Sequence, residues 1–180
     1  MGLLSKLFKS DDAAKPAAPA KPAPVTVTGG VDSFAAPVDG KVIPLSEAPD
    51  AVFSGGMLGQ GCGIEPTGST VYAPISGTLT ALAPTMHGIG ITGDSDIEAL
   101  VHVGVDTVKM GGDGFTAYVK QNDHVEAGQP IVSFDREKIA AAGHPDTVIV
   151  VVSNSAELAE VTVCAEGTVS AGKPLIKVAR

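Results

Sequence analysis

The sequence is poor in the residues that mark several large classes of protein. Its 180 residues include no tryptophan, two tyrosines, five phenylalanines and two cysteines. Cys62 and Cys164 show no spacing typical of a zinc knuckle or a redox pair, which predicts reduced, packed thiols. The longest aliphatic run, Val148 to Val152, is far too short to cross a bilayer, and we find no pattern of a secretory h-region with a cleavage site in these residues. We therefore expect a cytoplasmic protein.

Basic side chains are scarce in most of the chain. Residues 31–180 hold eight basic and eighteen acidic side chains, a net charge of −10, whereas residues 1–30 carry a net charge of +2. Phosphate contacts supply most of the affinity of nucleic-acid-binding proteins, so a domain this acidic is a poor candidate for that function. Its charge suits a basic protein partner.

The first thirty residues divide into two segments. Residues 1–10 place Leu3, Leu4, Leu7 and Phe8 on one helical stripe beside lysines, which predicts either a weak contact with anionic lipid or a frayed terminus. Residues 11–30 begin with an Ala/Pro/Lys tract and predict an extended linker. The folded domain is expected to span residues 31–180.

Glycine, proline and β-branched residues dominate that domain and favour short strands joined by tight turns. Two internal repeats are visible. Ala36-Pro-Val-Asp-Gly-Lys-Val42 resembles Ala73-Pro-Ile-Ser-Gly-Thr-Leu79, and Val125-Glu-Ala-Gly-Gln-Pro-Ile131 resembles Val169-Ser-Ala-Gly-Lys-Pro-Leu175. These repeats predict an all-β sandwich or barrel with partial internal duplication. Short helical turns are expected at residues 45–51 and 136–142.

His87 and His102 flank a predicted β-hairpin. The turn Gly93-Asp-Ser-Asp96 separates two apolar runs, and a hairpin centred within it pairs residues whose numbers sum to 189. That register places His87 directly opposite His102, with Cβ atoms about 4.5–5.5 Å apart, on a face shared with Ile89 and Ile91. A one-residue bulge would change this pairing. The alternating apolar positions of the second strand predict that His102 faces away from the core.

Three interpretations of the pair remain open on the residues alone. The histidines can be ordinary polar residues on a half-exposed sheet. They can be metal ligands, since His102-Val-Gly-Val-Asp106 matches an H-x-G-x-D pattern. They can also carry a phosphoryl group, because an imidazole with an ordinary pKa of about 6.5 is neutral near pH 7. The second imidazole could then donate to the phosphoryl oxygens, while Thr85 fixes which nitrogen of His87 is protonated.

A set of ordered segments carries a more specific pattern. These segments are Ala36-Pro-Val-Asp-Gly40, Pro49-Asp-Ala-Val-Phe53, Gly61-Cys-Gly-Ile-Glu-Pro66, Ala73-Pro-Ile-Ser-Gly77, Thr85-Met-His87, Leu100-Val-His-Val-Gly-Val-Asp-Thr-Val108 and Gly112-Asp-Gly-Phe115. Together they resemble the glucose-type enzyme IIA of the bacterial sugar phosphotransferase system, from about Ala36 to the C-terminus. The amphipathic start and linker resemble the free-standing, single-domain form.

The resemblance implies an antiparallel β-sandwich of the duplicated hybrid type that acts as a phosphoryl carrier in sugar uptake. By similarity, His102 would accept the phosphoryl group on Nε2 from the phosphocarrier HPr and pass it to a cysteine of a sugar-specific IIB domain. His87 would hydrogen-bond the phosphoryl group, and Thr85 would orient His87. The partner-docking surface would comprise Asp50, Val52, Phe53, Met57, Leu58, Asp106 and Val108.

The same resemblance bears on cofactors and further partners. No cofactor is expected to be required, and a zinc ion held by His87 and His102 would not be catalytic. Phosphorylation of His102 would add negative charge and so switch any regulatory target protein bound at that face. Ala83 and Leu100 stand where relatives often carry larger aromatic residues, which predicts a reshaped docking surface.

Two alternatives fit fewer residues. A LytM-like zinc peptidase shares the H-x-G-x-D pattern but needs a later H-x-H, whereas His124 and His144 stand alone. A biotinyl or lipoyl carrier shares the turn-and-strand phrases, but no symmetric hairpin tip surrounds Lys109. The phosphoryl carrier is therefore the favoured prediction, with the peptidase as its alternative.

Overall fold

The computed structural model describes residues 19–180, which form antiparallel β-strands and a few short helical segments. The strands are β1 (Ser33–Ala35), β2 (Gly40–Pro44), β3 (Gln60–Pro66), β4 (Thr70–Tyr72), β5 (Gly77–Leu82), β6 (Gly88–Gly93), β7 (Glu98–Val103), β8 (Phe115–Ala117), β9 (His124–Val125), β10 (Pro130–Phe134), β11 (Val148–Val152), β12 (Glu160–Val163), β13 (Thr168–Val169) and β14 (Pro174–Ala179). The helices are α1 (Ala51–Ser54) and α2 (Arg136–Ala141), and 3₁₀ turns cover Leu45–Glu47, Thr107–Met110 and Ser155–Glu157. The predicted stripe of Leu3, Leu4, Leu7 and Phe8 lies outside the described residues.

One large sheet and two small sheets enclose the main core. The large sheet has the order β13-β2-β3-β11-β7-β6-β5-β9, and the small sheets have the orders β1-β14-β12 and β4-β10-β8. Ile89 and Val101 of the large sheet are buried in one cluster with Phe34 and Val71 of the small sheets. Full burial of each such side chain contributes about 1.5–3 kcal/mol. The predicted all-β antiparallel sandwich is confirmed.

Strand β11 is buried on both faces. Val148, Val150 and Val152 point into the main core, whereas Ile149 and Val151 point into a separate cluster on the outer face of the large sheet. Such two-sided burial explains why the strand is a continuous aliphatic run instead of an alternating one. The outer cluster is covered by the segment that contains α1.

The two internal repeats occupy equivalent positions in the fold. Gly40 at the start of β2 pairs with Val169 of β13, and Gly77 at the start of β5 pairs with Val125 of β9. Each copy of the first repeat therefore leads into a strand, and this strand pairs with one copy of the second repeat in the same register. The predicted duplication is visible as matching strand pairs.

The turns of the second repeat also hold the chain that precedes β1. The amide of Val25 donates to the carbonyl of Gly128 at 3.0 Å, and the amide of Thr28 donates to the carbonyl of Gly172 at 2.9 Å. Both glycines have positive φ, and a Cβ at either would clash with this segment's backbone. The chain therefore contacts the folded body from Val25 onward, within the segment that the sequence assigns to the linker.

The hairpin between β6 and β7 differs in register from the sequence prediction. Gly88 pairs with His102 and Ile89 with Val101, so paired residue numbers sum to 190 and not to 189. The cause is a three-residue turn in which Asp96 adopts the left-handed conformation. Ile89 and Ile91 therefore face the main core with Val101, and the expectation that they share the face of His102 is wrong.

The remaining local predictions have mixed outcomes. Of the helical turn expected at residues 45–51, the 3₁₀ turn Leu45–Glu47 is present, whereas α1 begins only at Ala51; the turn expected at residues 136–142 is present as α2. Cys62 is buried, and burial raises the pKa of its thiol to about 12, which makes it unreactive. Cys164 is exposed, which corrects the expectation that both thiols are packed. In residues 19–180, no helix is both long enough and apolar enough to span a membrane.

Candidate active site

His87 and His102 meet at the end of the β6–β7 hairpin. Their ring centroids lie 4.9 Å apart and their planes are nearly perpendicular, at 86°. His87 reaches this position because it precedes β6 instead of lying in it. The amide of Met86 donates to the carbonyl of Ala83 at 2.7 Å, and Met86 adopts a left-handed φ of 62°. The two rings are therefore together, as predicted, but a turn brings them together and not a direct cross-strand pair.

His102 lies on the outer face of the large sheet. It pairs with Ile149 of β11 on one side and with Gly88 of β6 on the other. The ring of Phe53, on α1, stands 5.0 Å from the imidazole at an interplanar angle of 52°. Nδ1 of His102 is buried, and no group of residues 19–180 forms a hydrogen bond of good geometry with it. A ligand from solvent would therefore approach the other ring nitrogen, Nε2.

His87 has a specific polar partner. The hydroxyl of Thr85 lies 2.6 Å from Nδ1 of His87. If the hydroxyl donates this hydrogen bond, the proton of the neutral ring lies on Nε2, where it can be donated to a bound group. The three candidate site residues from the sequence, Thr85, His87 and His102, are therefore in contact: Thr85 with His87, and His87 with His102.

Both imidazoles favour the neutral state. Burial lowers the pKa of His87 below its ordinary value. For His102, burial is the largest cause of a lowered pKa, and the neighbouring His87 lowers it further. The charge of Asp50 and the backbone at Gly104 act in the opposite direction, although the contact with Gly104 falls short of a well-formed hydrogen bond. At neutral pH each ring therefore keeps one unprotonated nitrogen.

The pH dependence follows from these directions. Because the pKa of each imidazole is lowered, more than half of the molecules carry the neutral form of each ring at pH 6.5. Each histidine is therefore expected to become mostly protonated only as the pH falls below that value. NMR titration of the two side chains should give midpoints below 6.5, whereas the unfolded protein in denaturant should titrate close to that value. A midpoint at or above 6.5 for His102 in the folded protein would contradict the buried geometry.

Helix α1 presents two different faces. Asp50 caps the helix, because its carboxylate accepts hydrogen bonds from the amides of Val52 at 2.9 Å and Phe53 at 3.4 Å. Val52 is 51% exposed and Met57, just after the helix, is 82% exposed, whereas Phe53 is only 4% exposed. The predicted docking residues on this segment are therefore accessible except for Phe53, whose ring contacts His102.

The other predicted docking residues follow the end of β7. Asp106 is exposed and its backbone adopts the left-handed conformation. Its carboxylate accepts a hydrogen bond from the ammonium group of Lys109 at 2.7 Å. Val108, two residues later, is 51% exposed, and Leu58 beyond α1 is 38% exposed. Of the five large apolar side chains that are exposed in residues 19–180, four therefore lie on the segment that contains α1 or just after β7.

The site offers few ligands for a metal ion. Zinc sites in proteins usually have three or four protein ligands. Between residues 19 and 180, no group of three or more His, Cys, Asp or Glu side chains is arranged to hold a metal ion. The pair of His87 and His102 therefore provides two donors without a third.

Sequence reasoning missed two features of the site. The first is the left-handed turn at Met86, a conformation that a non-glycine residue seldom adopts. The second is the outer hydrophobic cluster of Phe53 with Ile149 and Val151. The continuous aliphatic run of β11 was a usable signal for that cluster, since it predicts burial on both faces.

Comparisons with known proteins give one consistent result. Residues 32–158 match the family model described as phosphoenolpyruvate-dependent sugar phosphotransferase system, EIIA 1. The solved glucose permease IIA of Mycoplasma capricolum is similar at a TM-score of 0.73 and 34% identity, over 80% of this chain and 93% of that one.

Curated relatives point to the same family. A mannose-specific EIIBCA component of Corynebacterium glutamicum is 44% identical over 138 residues, which is 77% of this chain. A beta-glucoside-specific EIIBCA component of Halalkalibacterium halodurans is 41% identical over 155 residues, or 86% of this chain. The matched parts make up 20% and 24% of those two relatives, so the chain corresponds to one portion of much longer proteins.

Proposed function

Because the chain belongs to the EIIA 1 family of the phosphoenolpyruvate-dependent sugar phosphotransferase system, we propose that it is a phosphoryl carrier whose acceptor atom is Nε2 of His102. The observation that carries this proposal is the pair of neutral imidazoles at 4.9 Å, in which Nδ1 of His102 is buried. Burial of Nδ1 leaves Nε2 as the nitrogen that a phosphoryl group can reach. Members of this family are components of a phosphotransferase system. The alternative function, a LytM-like zinc peptidase, has no support.

The transfer step needs no cofactor. The lone pair of Nε2 attacks phosphorus, a new N–P bond forms, and the electron pair of the breaking bond stays with the donor. In the onward step a thiolate of the acceptor attacks the same phosphorus, and the electron pair of the N–P bond returns to Nε2. A neutral His102 is required for the first step, and the lowered pKa of its imidazole provides it.

His87 is the group that we assign to the phosphoryl oxygens. Its ring stands edge-on to His102, and a hydrogen bond donated by the Thr85 hydroxyl to Nδ1 places the proton of the neutral ring on Nε2. Such an N–H donor stabilises the negative charge on oxygen as the phosphoryl group passes between nucleophiles. A single neutral donor also leaves the phosphoryl group free to leave again.

The positive charges of the domain do not interfere with this release. Lys109, the lysine nearest to His102 in sequence, is bound by Asp106 at 2.7 Å. Arg136 and Lys138 are likewise paired, with Asp146 and Asp113. In the described part of the chain, no lysine or arginine hydrogen-bonds either imidazole. Strong cationic binding would hold the phosphoryl group on the carrier, so this arrangement supports a transfer role.

We assign the partners from the surface around His102. Asp50 provides negative charge, Asp106 is paired with Lys109, and exposed apolar area comes from Val52, Met57, Leu58 and Val108. An apolar surface on a domain with a net charge of −10 over residues 31–180 suits a basic donor such as HPr and a IIB acceptor domain. The EIIBCA names of the relatives support a IIB partner within the same system. We propose that the exchange takes place in the cytoplasm.

The role of Thr85 is tested by its replacement. The variant Thr85→Val keeps the branched shape of the side chain but removes the hydroxyl, so Nδ1 of His87 loses its partner. Loss of one hydrogen bond of about 1 kcal/mol predicts roughly a fivefold slower transfer to the acceptor. The ¹⁵N chemical shifts of His87 should also show a change of tautomer. Unchanged shifts with an unchanged transfer rate would rule out the orienting role.

The carrier function is tested by reconstitution. Labelled phosphoenolpyruvate, enzyme I and HPr are supplied, with and without a IIB domain of a sugar permease. We expect the chain to become labelled and the label to move to the IIB domain. Omission of HPr is the matched control and should leave the chain unlabelled. Failure of the complete system to label the chain would contradict the proposal.

A further inference from the structure

The outer hydrophobic cluster lies directly beside the proposed acceptor histidine. Ala48, Phe53, Ile149 and Val151 are buried in it, and Leu45 and Leu100 pack against them. His102 pairs with Ile149 across the sheet, and Leu100 lies two residues before His102 on the same face of β7. One side of the imidazole therefore belongs to this cluster, on the sheet face opposite the main core.

Phe53 and Val52 differ sharply although they are neighbours. Val52 is 51% exposed and is accessible to a partner protein, whereas Phe53 is 4% exposed. The ring of Phe53 stands 5.0 Å from the ring of His102 at 52°. Phe53 can therefore contribute little surface to a partner, and its contact with His102 has to be explained in another way.

The polar restraint on the imidazole of His102 is weak, since it consists of a contact with the backbone of Gly104. Catalytic and metal-binding histidines are commonly held by a hydrogen bond from the ring nitrogen that does not react. Nδ1 of His102 is buried beside the backbone of Gly104, and this contact falls short of a well-formed hydrogen bond. Packing against the neighbouring side chains therefore adds to the restriction of the ring's rotation.

We propose that Phe53 is a positioning residue for phosphoryl transfer, whose ring holds His102 in the rotamer that buries Nδ1 and presents Nε2. This inference rests on the proposed function. Phe53 does not touch the phosphoryl group but acts through the imidazole that it contacts. The position of Phe53 is itself fixed, since Asp50 accepts a hydrogen bond from its amide and the cluster surrounds its ring. A reacting atom displaced by about 1 Å can cost roughly 100-fold in rate.

The test compares Phe53→Leu with Val52→Ala on the same helix. Leucine keeps an apolar side chain in the cluster but removes the planar wall. We expect Phe53→Leu to lower the maximal rate of phosphoryl transfer by about 10- to 100-fold, with little change in the half-saturating concentration of phosphorylated HPr. Val52→Ala should raise that concentration and leave the maximal rate unchanged. In the Phe53→Leu variant, NMR should also show the titration midpoint of His102 moving towards 6.5 as water reaches the ring.

Several outcomes would overturn the assignment. One is a Phe53→Leu variant that folds, with a maximal rate within about twofold of wild type and unaltered His102 signals. Another is a Phe53→Leu variant that behaves like Val52→Ala, which would make Phe53 a docking residue. If Phe53→Leu does not fold, Leu45→Ala loosens the same cluster at a residue that packs against its edge, and it must then show the same shifts. The NMR measurements do not require HPr, so they test Phe53 even if the wild-type chain accepts no phosphoryl group.

Discussion

The variant His102→Gln is expected to form no phosphorylated protein when phosphoenolpyruvate, enzyme I and HPr are supplied. Glutamine approximates the size of the imidazole, but its amide nitrogen has no lone pair available for attack on phosphorus. Removal of a catalytic nucleophile commonly costs several orders of magnitude, so labelling should fall at least about 10³-fold. The measurement is protein-bound label after a fixed time.

A matched control for this variant is available in the same chain. His124 is exposed in β9 and its ring lies 3.1 Å from Asp94, in a different part of the sheet. His124→Gln should be labelled at the wild-type rate. Persistent labelling of His102→Gln, with a normally folded protein, would show that another residue accepts the phosphoryl group.

The variant His87→Gln separates the two halves of the reaction. It should still become phosphorylated on His102, because the nucleophile and its buried environment remain. Transfer onward should fall by about 10²- to 10³-fold, since the imidazole N–H that Thr85 orients through Nδ1 is replaced by a flexible amide whose N–H groups are not held in that position. The experiment loads the variant with label, removes the donor and measures the decay of label after a IIB domain is added.

Two results of the His87→Gln experiment would refute the role of His87. Transfer to the IIB domain at the wild-type rate would show that the oriented imidazole of His87 is dispensable. A variant that cannot be loaded at all, although folded, would show that His87 acts in the first step. Wild-type protein loaded to the same extent is the reference for both results.

The fold was predictable where the pattern is repeated in the sequence. The two phrases that begin at Ala36 and Ala73 predict duplication, and their glycines pair with Val169 and Val125 in equivalent ways. The register of the central hairpin was not predictable from its turn residues. Asp96 adopts a left-handed conformation, which adds one residue to the turn and shifts every pair by one.

The proximity of the two histidines was predicted for a reason that the structure replaces. With paired numbers summing to 190, His87 falls beside Val103 and not beside His102. The left-handed turn at Met86 then brings the imidazole of His87 to that of His102. A positive φ at a non-glycine residue has no reliable signature in a single sequence, so the prediction reached the correct pair through an incorrect register.

The different exposure of Val52 and Phe53 on α1 was also not predictable from the sequence. Val52 and Phe53 are adjacent apolar residues, and the resemblance assigned both to the docking surface. Which of them is buried depends on Ile149 and Val151, which lie far away in the sequence and pack under α1. Long-range packing of this kind is set by the whole fold.

The most direct test of the account is identification of the phosphorylated atom. The chain is labelled through enzyme I and HPr, tested for acid lability and alkali stability, and then examined by phosphorus NMR and peptide mapping. The account predicts a single phosphohistidine, with phosphorus on Nε2 of His102, as required by the burial of Nδ1. Phosphorus on His87, or on Nδ1 of His102, would contradict it.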